Sequence, residues 1–216
     1  MVKNTSKIYL SILVFLFVIF SVTIVSSKGS LGFGVQGGVN FANASVEPDI
    51  GKDYTARIGL MVGGLMELDI AQFFAIQFDL IYVEKGAKWE TETNDTTAKS
   101  TWKFDYIEFP ILFKAKFGQP MFKVNVFIGP NLGILLNSKR VSEVGSESMT
   151  IDYKEITRPI DIAFDFGGGG EFAFNPKVAI FTNVRYSLGV YDIDETNIGK
   201  WKSNGIQILA GTKFTM

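Results

Sequence analysis

Ten ionisable residues recur on the polar side of alternating stretches: Glu67, Asp69, Asp79, Glu108, Lys114, Lys123, Asp165, Glu171, Arg185 and Lys213. Such a mixed set can do one of two things. It can place one carboxyl as acid and another as base around a substrate, or it can neutralise itself as a network of ion pairs. The network reading is the stronger, because none of the usual partners of acid–base chemistry accompanies the set. Histidine and cysteine are both absent from the 216 residues, so no imidazole base, Ser-His pair, thiolate nucleophile or disulfide can be assembled. No catalytic residue, cofactor site or metal ligand is assigned, and the expected role is a barrel-interior ionic network.

Other fragments suggest chemistry that their surroundings do not support. Asp165-Phe166-Gly167 spells a kinase metal-binding tripeptide, but no His-Arg-Asp loop or glycine-rich strand with a following lysine goes with it. The glycines from Gly167 to Gly170 lack the Gly-Lys-Ser/Thr of a phosphate cradle, and they read better as room for a long neighbour such as Arg185. Glu90, Glu92, Asn94 and Asp95 sit in a polar stretch without the Asp-x-Asp-x-Asp-Gly frame of a calcium loop.

The elements that must position these charges are strands. Residues 106–117 and 120–131 alternate apolar and polar side chains about a Gly118-Gln119 turn, and both arms are as long as the 9–11 residues of about 30 Å of bilayer. The same period of two runs through residues 31–41, 58–70, 74–83, 162–174, 178–188 and 206–214, which predicts eight strands. Four long polar connections, at residues 42–56, 85–101, 137–159 and 191–203, alternate with three short turns. That asymmetry is the one expected of an outer-membrane barrel with short periplasmic turns and longer external loops. Strand phase sets the turns: Phe117 opposite Pro120, Ile70 opposite Phe74, and Phe174 opposite Val178. This register puts Arg185 opposite Gly167 and diagonal to Asp165. It also puts Lys114 opposite Lys123, two like charges that would repel unless a neighbouring acid such as Glu171 sits between them. Pro110 and Pro130 each remove a ladder donor, so a bulge or a rim position is expected at them.

Width decides which face is inside. An eight-stranded ring has room only for side chains, and the polar face is the smaller, so the Phe-rich face belongs against lipid. Phe33, Phe41, Phe74, Tyr82, Phe104, Phe117, Phe122, Phe174, Tyr186 and Phe214 fall near strand ends, as an interfacial aromatic girdle requires. The 21 basic residues against 22 acidic ones leave no excess to attract nucleic acid. Lys3 and Lys7 precede an uncharged run from Ile8 to Val25, with Ser26 and Ser27 after it, so residues 1–27 are expected to be a cleaved signal peptide. Residues 28–216 then form one all-β domain, an eight-stranded antiparallel up-and-down transmembrane β-barrel.

The segments Tyr106-Ile107-Glu108-Phe109-Pro110-Ile111-Leu112, Gly129-Pro130-Asn131-Leu132-Gly133, Asp165-Phe166-Gly167-Gly168-Gly169-Gly170-Glu171 and Arg185-Tyr186-Ser187-Leu188-Gly189-Val190-Tyr191-Asp192-Ile193 resemble, in order and spacing, the PorT-like outer-membrane β-barrel family of Bacteroidetes. The resemblance runs from Gly34 to the C-terminus, although Lys213-Phe214-Thr215-Met216 departs from the usual terminal aromatic. It implies an outer-membrane barrel, and for some members a part in gliding and protein secretion. The expected function is non-enzymatic: external loops presented for envelope structure or partner binding. Outer-membrane lipid and other envelope or secretion-system proteins are the expected partners, with no nucleic acid, no cofactor and a monomeric state. A small-solute channel and a soluble lipid-binding periplasmic barrel are the alternatives.

Overall fold

The computed structural model describes residues 29–47, 55–93, 96–145, 147–195 and 200–216. The expected signal peptide, residues 1–27, lies outside them, as do Asn94 and Asp95. Alternation gives every strand one apolar and one polar face, and closing the sheet on itself satisfies the backbone without leaving an edge in lipid. The strands are β1 (Leu31–Glu47), β2 (Thr55–Ala71), β3 (Phe74–Thr93), β4 (Thr96–Gly118), β5 (Phe122–Val144), β6 (Glu147–Asp152), β7 (Ile160–Asn175), β8 (Val178–Gly189) and β9 (Lys200–Thr215). Eight of them form an antiparallel up-and-down ring in the order β1, β2, β3, β4, β5, β7, β8, β9, with β9 pairing back onto β1. Among the described residues no helix is long and apolar enough to cross a membrane. One 3-10 turn, Lys154–Ile156, follows β6.

The facing follows the expectation. Val35, Leu60, Val62, Val126, Ile128 and Phe174 stand on the outer wall, each more than half exposed, while Gln36, Glu67, Asp165, Arg185 and Gln207 are buried inside the ring. Phe104 is the exception. It points inward and is buried with Met61, Ile81, Val83, Trp102, Tyr106, Leu135, Ile193 and Leu209 in an apolar cluster that Trp89 and Trp201 flank. Its even number on β4 puts it on the same face as Tyr106 and Glu108, so it lines the bore and is no part of the girdle.

Three further expectations are corrected. Two of the long polar connections are largely strand: β3 and β4 run 20 and 23 residues and pair out to Thr93↔Thr96, and the 137–159 stretch holds the end of β5 and a ninth strand, β6, paired to it from Lys139↔Asp152 to Val144↔Glu147. These segments run past the length that about 30 Å of hydrocarbon requires, and the regular apolar alternation fades in them while the pairing continues.

The β4–β5 turn lies further along the chain than expected. Gly118 is opposite Lys123 and Phe117 opposite Val124, and Gln119 and Phe122 exchange backbone hydrogen bonds at 2.9 and 3.1 Å. Pro120 and Met121 are therefore the central pair. Proline's fixed φ suits the first central position, and Gly118 supplies a φ of 124° that other residues rarely adopt. At the other two turns the register holds as far as Asp69↔Ala75 and Ala173↔Ala179, but a bulge beyond each pairs Phe74 with Ala71 and Val178 with Asn175, so the expected pairs Ile70 with Phe74 and Phe174 with Val178 do not form.

Pro110 and Pro130 lie in mid-strand, without a bulge. Pairing skips from Phe78↔Ile111 to Ile81↔Glu108 across the first and from Pro110↔Asn131 to Phe113↔Ile128 across the second, and the register is unchanged. A missing donor thus costs a rung of the ladder and leaves the alternation intact.

Substituting Val126 by Arg on the outer wall should cost about 2–4 kcal/mol, because the charge meets hydrocarbon. Met149→Arg, equally exposed but on β6, should stay within about 0.5 kcal/mol. Urea titrations in lipid vesicles compare the two, and equal losses would contradict the placement of the bilayer.

Candidate functional site

The ring encloses a column of ion pairs. At the short-turn end, Glu67 of β2 accepts from Lys114 at 2.8 Å and Lys116 at 3.1 Å, both from β4, and from Lys213 of β9 at 2.6 Å. Lys213 also reaches Glu171 of β7 at 2.5 Å, Lys116 pairs with Asp69, and Ser30 donates to Asp69 at 2.7 Å. Two of these lysines have a short neighbour on at least one side in the ladder, which leaves them room to cross the bore. Lys213 lies between Gly34 and Ala179, and Lys114 lies beside Ala75.

Gln77 carries the column upward, accepting from Lys114 at 2.8 Å and donating to Asp79 at 2.6 Å. Arg185 of β8 then joins Asp79 at 2.8 Å and Asp165 at 3.4 Å, all three side chains wholly buried, with its guanidinium 5.7 Å above the Phe127 ring. Arg185 stands opposite Gly167, as the turn phase requires. A Cβ added at Gly167 would come within 2.9 Å of the Arg185 Cα and 3.0 Å of the Phe127 ring, so glycine there makes room for the arginine. Asn131 links the next level, donating to Asp165 at 3.1 Å and Glu108 at 3.0 Å. Glu108 and Asp161 share Lys85 at 2.5 and 2.9 Å, and above Lys85 Tyr106 begins the apolar cluster, its ring 5.3 Å from the Lys85 ammonium.

Of the residues read from sequence, Glu67, Lys114, Glu171 and Lys213 thus meet at one level, Asp79, Asp165 and Arg185 at the next, and Glu108 above them. Lys123 does not join. With the β4–β5 turn moved, Lys114 faces Phe127 while Lys123 faces Gly118 and Glu171, so the expected pair of opposed lysines does not form. Glu171 takes Lys213 instead, and Lys123 is half-buried near the short-turn mouth without an ion pair among the described residues. Lys85, Lys116 and Asp161 were not among the ten. Lys85 extends the odd-numbered inward face of β3, and Asp161 extends the face of Ala163 and Asp165, each just past the point where apolar alternation fades.

At the long-hairpin end the apolar cluster closes the ring. Trp102 and Trp201 meet at 5.5 Å between ring centroids, with Phe104 edge-on to Trp201 at 6.0 Å. Above them is a cavity of about 270 Å³ between β4, β5, the 3-10 turn and the β8–β9 connection. Among the described residues no group of acids is placed to hold a metal ion.

A paired charge in a dry bore is costly to orphan. Arg185→Ala leaves Asp79 and Asp165 uncompensated and should lower stability by about 3–5 kcal/mol, whereas Lys123→Ala should stay within about 0.5 kcal/mol. Urea midpoints read by tryptophan fluorescence compare them, and similar losses would mean that the column is not what holds the ring.

Solved outer-membrane proteins are similar in part. The crystal structure of the outer membrane protein OprG from Pseudomonas aeruginosa superposes with a TM-score of 0.50 at 11% identity, over 86% of this chain and 95% of that one. Neisserial surface protein A gives 0.44 at 16% identity over 84% and 96%, and a major outer membrane protein from Thermus thermophilus gives 0.47 at 10% over 86% and 99%. No curated protein sequence matches the chain. The model of the outer membrane protein beta-barrel domain matches residues 25–195. With an eight-stranded ring, an apolar outer wall and that match over most of its length, the chain belongs to the outer membrane protein beta-barrel domain family and resides in the outer membrane.

Proposed function

We propose that the protein is a closed, non-enzymatic barrel that acts as a monomer and holds its long hairpins outside the cell for other envelope components, in the manner of a PorT-like accessory of secretion. The observation that carries this reading is the contrast between its two parts. The bore is crossed at three levels by ion pairs from β2, β3, β4, β7, β8 and β9, which leaves the carboxylates bonded to cations and poorly suited to act as free bases. The β3–β4 hairpin and β5 with β6, by contrast, run well past what about 30 Å of hydrocarbon requires. A soluble carrier would need the apolar face inward, opposite to the facing of Val126 and Ile180. Residues 1–27 are the export signal in this reading, with maturation at Lys28.

Because the chain has no cysteine, single engineered thiols report sidedness cleanly. On intact cells Ser148→Cys in β6 should react with a membrane-impermeant maleimide, while Lys177→Cys in the β7–β8 turn should react only after the outer membrane is opened. The reverse pattern would invert the topology, and labelling of neither from outside would remove the hairpins from the surface.

A further inference from the structure

β6 lies outside the ring, and among the described residues it pairs with β5 alone. One of its long edges therefore carries no ladder. The Tyr153 N–H donates to Ser138 O at 3.0 Å, one step past the Lys139↔Asp152 pair, and bonded pairs alternate along an antiparallel ladder. Glu147, Met149 and Ile151 accordingly bond β5, whereas Ser148, Thr150 and Asp152 turn their N–H and C=O groups to the open edge. None of those backbone groups has another partner among the described residues.

Sheets commonly guard such an edge with proline, lysine, a bulge or a covering loop. β6 carries no proline or lysine, its register on β5 is unbroken, and all six of its residues are exposed. On the face it shares with Arg140 and Ser142, Met149 is 62% exposed and Ile151 lies beside it. At the hairpin end Glu143 and Glu147 are exposed and form no ion pair among the described residues.

We infer that the open edge of β6 is a docking site for an extended segment of another protein, which adds to the sheet as a further strand. The inference rests on the reading that the long hairpins face outward, and it names what they hold. A row of main-chain donors and acceptors at ladder spacing is complementary to another strand, and side chains on alternate positions then give selectivity. A segment that sets apolar residues beside Met149 and Ile151 and a lysine or arginine beside Glu143 and Glu147 matches the edge in backbone, packing and charge. A second copy in the same membrane matches it poorly. The two-fold axis that relates two such barrels runs along the membrane normal and brings equivalent residues together, so Glu147 would meet Glu147 and Asp152 would meet Asp152.

Full-length barrel in detergent micelles, titrated with the synthetic peptide Arg-Thr-Val-Thr-Val-Thr-Arg, tests this by calorimetry and amide hydrogen exchange. Binding should saturate with a Kd of about 1 mM or tighter. At about ten times Kd, exchange of the Ser148 and Thr150 N–H groups should slow about tenfold, while that of Met149 and Ile151, already bonded to β5, should change little. Thr150→Pro removes an edge donor without touching the β5 ladder and should weaken binding about tenfold or more. Glu147→Lys should weaken it too and should favour the same peptide with glutamate in place of arginine. Lys177→Ala at the short-turn end should leave it unchanged. The heat-dependent gel shift of an intact barrel verifies folding of each variant. Absence of saturation, binding unaffected by Thr150→Pro, Ser148 and Thr150 amides already protected in the free barrel, or dimerisation of the barrel through β6 in place of peptide binding would overturn the inference. Surface labelling of Ser148→Cys distinguishes the failures: an outward β6 that takes no peptide refutes only the docking edge, and an inaccessible β6 refutes the outward reading itself.

Discussion

An eight-stranded ring has a bore only as wide as the side chains that fill it, and most other features of this molecule follow from that width. A charge placed deep in the bore must find its partner across it, because there is no room for bulk water to solvate it. Glu67 meets three lysines, Arg185 meets two aspartates, and Lys85 meets Glu108 and Asp161. Each set draws on several strands, so the pairs fasten strands far apart in sequence: Arg185 and Asp79 are separated by 106 residues. The ion pairs also fix register, since a slip of one residue on β4 would turn Lys114 and Lys116 outward into lipid.

The same width explains the glycines and the lid. Some of the long side chains in the bore have a small residue beside them on one adjacent strand, as Arg185 has Gly167 and Lys213 has Gly34. Toward the long-hairpin end the filling changes from ions to the cluster around Trp102, Phe104 and Tyr106. The bore therefore runs from a charged lower section to an apolar lid, and the polar-rimmed cavity lies above that lid, on the side that the long hairpins reach.

Facing was legible in the sequence because lipid imposes a strict period of two: Phe122, Val124, Val126 and Ile128 had to share one wall, and they do. The register beside two of the three turns was legible from phase alone, although a bulge before each pairs Ala71 with Phe74 and Asn175 with Val178 and so shortens the link. The third was not, because parity fixes only whether a turn is even or odd, and Pro120 at a central turn position moved the hairpin by two residues on each arm. That shift is why Lys114 and Lys123 do not face each other. Strand ends were hidden for a different reason. Toward the long hairpins the outward faces of β3, β4 and β5 turn polar while the inward faces stay buried, so apolar alternation no longer reports pairing, and Lys85 reads as loop although it holds the top of the ionic column. The aromatic lid was missed because Phe104 was read by residue type where its parity with Tyr106 gave its direction.

The central claim, that paired charges and the lid above them close this bore, is tested most directly by electrical recording. Purified barrel inserted into planar lipid bilayers should give no stable conductance steps across a range of voltages, while vesicle flotation verifies that it has inserted. Reproducible, uniform steps from protein shown to be folded would mean that water and ions pass the column, and the account of a bore closed by its own side chains would be wrong.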